Sequence, residues 1–137
     1  MKTPDWHNRY LLQARWTKNL RRLIFGKLNA AAGQSVLDIG AGTGAMYEDF
    51  KSHGLVPYGL DIDLERTAYA SQITTDVPTI NADGYRLPFK DRSFDFTFCH
   101  YFLLWLKDPK IVLNEMVRVT KKGGYIIAAA EPDYQSR

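Results

Sequence analysis

The amino-acid sequence predicts a doubly wound α/β domain, a parallel sheet with helices on both faces. Three observations predict it. Short apolar runs rich in β-formers alternate with helix-compatible segments from residue 35 to residue 130, as parallel strands joined by crossover helices do. Ser35-Val36-Leu37-Asp38-Ile39 breaks into glycines at 40, 42 and 44 before a helical segment begins, an order of strand, tight loop and helix that leaves bare backbone at a helix N-terminus. Asp38, Asp61 and Asp83 each end or directly follow an apolar run, which in an open sheet sets them beside the ligand crevice. The simplest strand order is 3-2-1-4-5.

A chain of 137 residues, 45% hydrophobic, is enough for one domain with one core. Residues 1–34 are expected to form an N-terminal helical segment over a core spanning 35–137. Histidines at 7, 53 and 100 and a lone Cys99 have neither zinc-ligand spacing nor a disulfide partner, so no metal and an intracellular, cytoplasmic setting are expected. No apolar run approaches the roughly 20 residues of a membrane span, and no membrane partner is expected. Net charge is +3, but residues 1–34 hold seven Lys/Arg against one Asp. Such a front could meet nucleic acid; a solvated helix face is the simpler reading.

From Asp5 to about Asn29 the spacing of Trp16, Leu20, Leu23, Ile24 and Leu28 predicts one amphipathic helix or two, with Arg15, Lys18 and Arg22 as a separate basic stripe. Ala45 to His53 is helix-compatible, and Gly54 is suited to end it. Val56 to Asp63 reads as strand two, with Asp63 an N-cap for a helix over Leu64 to Gln72. Val77 to Ala82 reads as strand three, delivering Asp83-Gly84, and Phe94 to His100 as strand four. Phe102 to Leu106 is core-like. Asp108-Pro109 should open a helix whose buried stripe is Val112, Met116 and Val119, with Lys121-Lys122 at its end and Gly123-Gly124 stopping it. Tyr125 to Ala130 reads as strand five, apolar on both faces, and Glu131-Pro132-Asp133-Tyr134 ends it.

Gly40, Gly42 and Ala45 alone also fit a dinucleotide fingerprint, which keeps a nicotinamide (NAD) oxidoreductase domain as an alternative. Asp38 argues against it, because a carboxylate there would repel a diphosphate and suits an amino group. Asp38 with Gly40-Ala41-Gly42-Thr43-Gly44 resembles the first motif of the class I S-adenosylmethionine-dependent methyltransferases, and the resemblance covers about residues 36–132. It implies a Rossmann-like core, S-adenosylmethionine as cofactor and methyl transfer to a small-molecule acceptor. Asp61, 21 residues past Gly40, would accept from both ribose hydroxyls, with Ile62 beside it. Asp83 would accept from the adenine amine, and Gly84 would admit the ring. Tyr10, Arg15 and Trp16 would close the pocket, Arg15 toward the methionine carboxylate and an aromatic face toward the sulfonium. Strand four presents Cys99 and His100 to the crevice, and His100 is the candidate base.

The resembled family continues past strand five with a helix and antiparallel strands. The expectation is therefore a fragment, or a short form that binds cofactor without efficient turnover and needs a partner; a noncatalytic S-adenosylmethionine-binding module is the second alternative. Strand five would be an open edge, so residues 125–130 are expected to pair with a second copy or a strand-adding partner.

Overall fold

The computed structural model describes residues 1–132. Five parallel strands form one sheet in the order β3-β2-β1-β4-β5: β1 Ser35–Ile39, β2 Val56–Asp61, β3 Thr79–Asn81, β4 Phe94–His100 and β5 Thr120–Ala129. The connecting helices are α3 Tyr47–Ser52, α4 Leu64–Ile73 and α5 Pro109–Val119, with a 3₁₀ turn over Leu103–Trp105, and α1 Thr3–Trp16 and α2 Lys18–Lys27 precede the sheet. Fold class and strand order are those the alternation predicts.

Side-chain alternation along the central strands divides the core in two. Val36, Phe96 and Phe98 pack with Phe25, Phe50 and Ile127 on one face. Leu37, Ile39 and Leu60 pack with Val112, Met116 and Val119 on the other. Leu37 and Ile39 are completely buried. Asp38 lies between them in sequence at the same depth, paired in register with Gly59 and Phe98, so the sheet itself carries this acid into the interior.

Several local expectations are corrected. The leading helix breaks at Thr17, and its inward face is Ala14, Thr17, Arg21 and Phe25. Trp16, Leu20 and Leu23 are exposed instead. Helical spacing allowed either face; an arginine was the unexpected choice. Arg21, 1% exposed, is held by Asp49 Oδ2 (Nε, 2.5 Å), Thr17 Oγ1 (Nη1, 2.6 Å) and the Ala14 carbonyl (Nη2, 2.6 Å). A buried guanidinium is tolerable only with such full pairing.

Asp63 caps α4 through the Arg66 amide at 3.0 Å, but Asp108 makes no side-chain cap to α5. That helix ends at Val119, before the two lysines, and Thr120 already belongs to β5. A Cβ on Gly124 would overlap the Asp95 carbonyl, so this glycine serves the close approach at a register shift between β4 and β5. Tyr125 and Ile126 are exposed, whereas Ile127 and Ala129 are buried, so β5 is covered on one face among the described residues. Trp105 is 79% exposed rather than core. The sequence expectation for Asp133 and Tyr134 lies outside the described residues. Among those residues, no helix is long and apolar enough to cross a membrane.

Candidate functional site

The carboxyl ends of β1, β2 and β4 open into a cavity of about 590 Å³. Its floor is the loop Gly40–Ala45. Gly40 and Gly42 adopt φ of +76° and +57°, and a Cβ on Gly40 would overlap the ring of Phe102. The loop is pinned from below, because the Gly40 and Ala41 amides donate to the Leu60 carbonyl at 2.9 and 3.0 Å. Gly44 (φ +79°) lies against Tyr47 and does not line the cavity.

Two acids face this space. Asp61, 8% exposed, accepts the Gly42 amide on Oδ2 (2.8 Å) and the Asp63 amide on Oδ1 (2.9 Å). It fastens the loop to the start of α4, yet each oxygen keeps a second lone pair for a ligand hydroxyl. Asp38, 2% exposed, lines the cavity, and no buried polar side-chain atom among the described residues lacks a partner. No hydrogen bond or ion pair to another described residue reaches its carboxyl, so its oxygens open onto the cavity. Burial, reinforced by Asp61 and opposed by Arg21, pushes its pKa up to about 8. An ammonium group arriving there would supply the missing counter-charge.

Helix α1 forms the cover. Trp6, Tyr10 and Gln13, spaced four and three residues apart on one helix face, line the cavity with Arg66 of α4. Trp6 and Tyr10 stack at 5.8 Å, and the Arg66 guanidinium lies 5.9 and 5.7 Å from their ring centres. The helix is tied down by His7 Nδ1 to Thr43 Oγ1 (2.8 Å) and by Thr3 donating to Glu65. The opposite wall is Tyr101, Phe102, Leu104 and Trp105. Glu131 shapes that wall by accepting the amides of Phe102 (2.9 Å) and Leu103 (3.1 Å).

Of the expected site residues, Tyr10, Asp38, Gly40, Ala41, Gly42, Asp61, Ile62 and His100 all meet at this cavity. Arg15 and Trp16 do not: they lie on the outward side of α1, because the inward period runs through 10, 14 and 17. Asp83 is exposed and accepts the Tyr85 amide at 2.9 Å, an Asx turn, while Gly84 is buried under Ile39 and Phe102. Neither lines the cavity. Cys99 is fully buried, its thiol pKa raised by burial and then by Glu131, 3.7 Å away. His100 lies on the wall, but its Nε2 is 2.9 Å from Thr17 Oγ1. Thr17 Oγ1 accepts from Arg21 and also lies 3.4 Å from the Gln13 and Ala14 carbonyls, so Nε2 of His100 is engaged by this hydroxyl in either tautomer. Burial, then Arg21, lowers the His100 pKa to about 4. Trp6, Gln13, Arg66 and Glu131 were not anticipated; the 6-10-13 spacing was a readable signal, whereas the Glu131 contact depends on where β5 ends.

A glycine-floored crevice at the switch between β1 and β4, with an open buried acid at the end of β1 and a second acid at the end of β2, defines a class I S-adenosylmethionine-dependent methyltransferase fold and site. The residues present fit that cofactor: Asp38 an ammonium, Asp61 hydroxyls, and the side-chain-free loop a close backbone approach. Comparison with known proteins agrees. Residues 37–128 match the family described as methyltransferase domain, and the chain belongs to that family. It is 38% identical over 113 residues to the demethylmenaquinone methyltransferase of Renibacterium salmoninarum, covering 82% of this chain and 48% of that protein. The crystal structure of the YcgJ protein from Bacillus subtilis superimposes with a TM-score of 0.70 at 28% identity, over 77% of this chain and 47% of that one. A S-adenosylmethionine-dependent methyltransferase from Aquifex aeolicus shares the fold at a TM-score of 0.68 and 24% identity, over 77% and 61% of the two chains. The chain spans about half the length of the curated relatives it matches.

Proposed function

We propose that this chain takes part in methyl transfer from S-adenosylmethionine to a small, flat, largely apolar acceptor of the demethylmenaquinone type. The observation that carries the reading is the make-up of one cavity. Asp38, Asp61 and the glycine loop line it together with the apolar segment Tyr101, Phe102, Leu104 and Trp105. The cofactor supplies a methyl group already activated by a sulfonium. What remains for the protein is orientation and exclusion of water. Asp38 holds the amino end, Asp61 the ribose, and the Trp6–Tyr10 cover presents aromatic faces where positive charge is stabilised. The Tyr101–Trp105 segment, braced by Glu131, offers an apolar surface for the acceptor ring. His100 is a neutral polar group on the wall; with its Nε2 turned to Thr17 it is a poor base at neutral pH, and it serves better to position the acceptor. The names of the relatives support the acceptor class.

Titration with S-adenosylhomocysteine, followed by transfer of labelled methyl from S-adenosylmethionine to a short-tailed demethylmenaquinone in its reduced form, tests the proposal. Binding with transfer is expected, by this chain or by a longer form of it. Binding without transfer in either form would favour the noncatalytic module, and the open edge at residues 125–130 would then be where a second copy or partner adds its strands.

A further inference from the structure

We propose that the outward side of α1 and α2 docks on an anionic lipid surface. The inward positions 10, 14, 17, 21 and 25 keep one helical period across the break at Thr17, so the outward residues of both helices share one side of the domain. That side is unusual in two ways. It exposes large apolar groups, with Leu12 at 49%, Trp16 at 68% and Leu23 at 55%, and Arg22, Leu23 and Lys27 border a shallow groove along α2. It is also basic without opposition: between Asp5 and Asp38 there is no acidic residue, and Arg21 is the only Lys or Arg of this stretch that is buried. Arg15, Lys18, Arg22 and Lys27 therefore stand in solvent with no carboxylate on either helix beyond Asp5.

Charge complementarity selects the partner. Interleaved Leu, Trp and Lys/Arg on a helix lying flat is what an interface between anionic headgroups and acyl chains binds, the cations meeting phosphates and the apolar groups entering the acyl boundary. A nucleic acid would satisfy the cations and leave Leu12 and Leu23 in water or against phosphate, which supplies no return for their burial. The surface is separate from the cavity, which α1 covers with its opposite face through Trp6, Tyr10 and Gln13. It is also independent of which acceptor is methylated.

The test is flotation of the full chain with vesicles of phosphatidylcholine alone and with a third of the lipid replaced by phosphatidylglycerol, beside binding to transfer RNA. Capture is expected on the anionic vesicles only, weakening as salt rises from about 50 to about 500 mM, with tryptophan fluorescence quenched by brominated acyl chains in the unmodified chain and less so in Trp16→Phe. Each basic residue near such a surface is worth roughly fivefold in partitioning, so Arg22→Glu with Lys27→Glu should reduce capture on the order of thirtyfold or more. Leu23→Ser should reduce it less, with S-adenosylhomocysteine binding and circular dichroism unchanged in both variants. No capture on anionic vesicles, capture equal in wild type and charge-reversed chain, or binding to RNA alone would each overturn the proposal, the last in favour of a nucleic-acid surface.

Discussion

Replacing Asp38 by asparagine should make the ligand-free domain more stable and its hold on the cofactor weaker. The carboxyl moves from its ordinary 3.8 up to about 8, chiefly through burial and then through Asp61. At about 1.4 kcal/mol per unit, the displaced carboxyl costs folding about 4 kcal/mol at pH 7 and on the order of 5 kcal/mol at about pH 8, relative to its protonated state below about pH 4. The folded acid holds its proton where the unfolded one has lost it. Its contribution is thus fully present below about pH 4, is lost as pH rises from about 4 to about 8, and does not change further above that. Asparagine fits the same volume and does not titrate. Denaturant unfolding at pH 4.5, 6.5 and 8.5 should show the variant gaining on wild type by a few kcal/mol across the series. Calorimetric titration should show S-adenosylhomocysteine binding weakened by about 1.5 kcal/mol or more from the lost charge-assisted bond. A stability difference that does not change with pH, or an unchanged affinity, would refute the assignment of Asp38 as a buried acid awaiting an ammonium partner.

Asp61→Ala should weaken S-adenosylhomocysteine by ~1.5–3 kcal/mol, and because Asp61 also holds the Gly42 and Asp63 amides, hydrogen exchange at those two amides should accelerate; unchanged affinity in a folded variant would remove it from the site. Arg21→Met leaves Asp49, 11% exposed, with only His53 Nε2 at 3.6 Å beside it, so a loss of roughly 3 kcal/mol is expected in denaturant unfolding, and a near-neutral effect would contradict the role given to this network. Gly59→Ala would drive a Cβ into the Tyr47 hydroxyl, which is bonded to Thr79 Oγ1 at 2.8 Å; an overpacking cost of about 1–3 kcal/mol is expected from thermal melts. The pH profile of methyl transfer should show no inflection near 6.5 attributable to His100, whose neutral form persists down to about pH 4; a His100→Asn variant that abolishes such an inflection would restore it as a base.

Strand order and the principal acids were legible in the sequence because they depend on local signals. β-formers alternate with helical segments, glycines mark the loop, and Asp38 and Asp61 end apolar runs. The face of a short helix was less legible. Trp16, Leu20 and Leu23 offer as good an apolar stripe as Ala14, Phe25 and Ile24, and the choice was made by Asp49, which lies 28 residues from Arg21 and gives that arginine a buried partner. The end of α5 was misplaced for a related reason: Lys121 to Gly124 suit a helix terminus, but pairing with β4 draws Thr120 into the strand, and Gly124 answers to the Asp95 backbone instead. Asp83-Gly84 carries the same local signature as Asp61 but follows a strand of only three residues, and one oxygen of its carboxyl, Oδ1, accepts the Tyr85 amide in the turn. His100 was named for its position; its hydrogen bond to Thr17, 83 residues earlier in the chain, has no local signal.

Asp38, the glycine loop and Asp61 are proposed to form one site for S-adenosylmethionine. The most direct measurement is calorimetric titration of the chain with S-adenosylhomocysteine, with NAD as the competitor for the same glycine loop. Binding of one S-adenosylhomocysteine per chain, weakened by both Asp38→Asn and Asp61→Ala, with no heat from NAD, is expected. NAD binding in preference to S-adenosylhomocysteine, or S-adenosylhomocysteine binding that neither substitution alters, would contradict it.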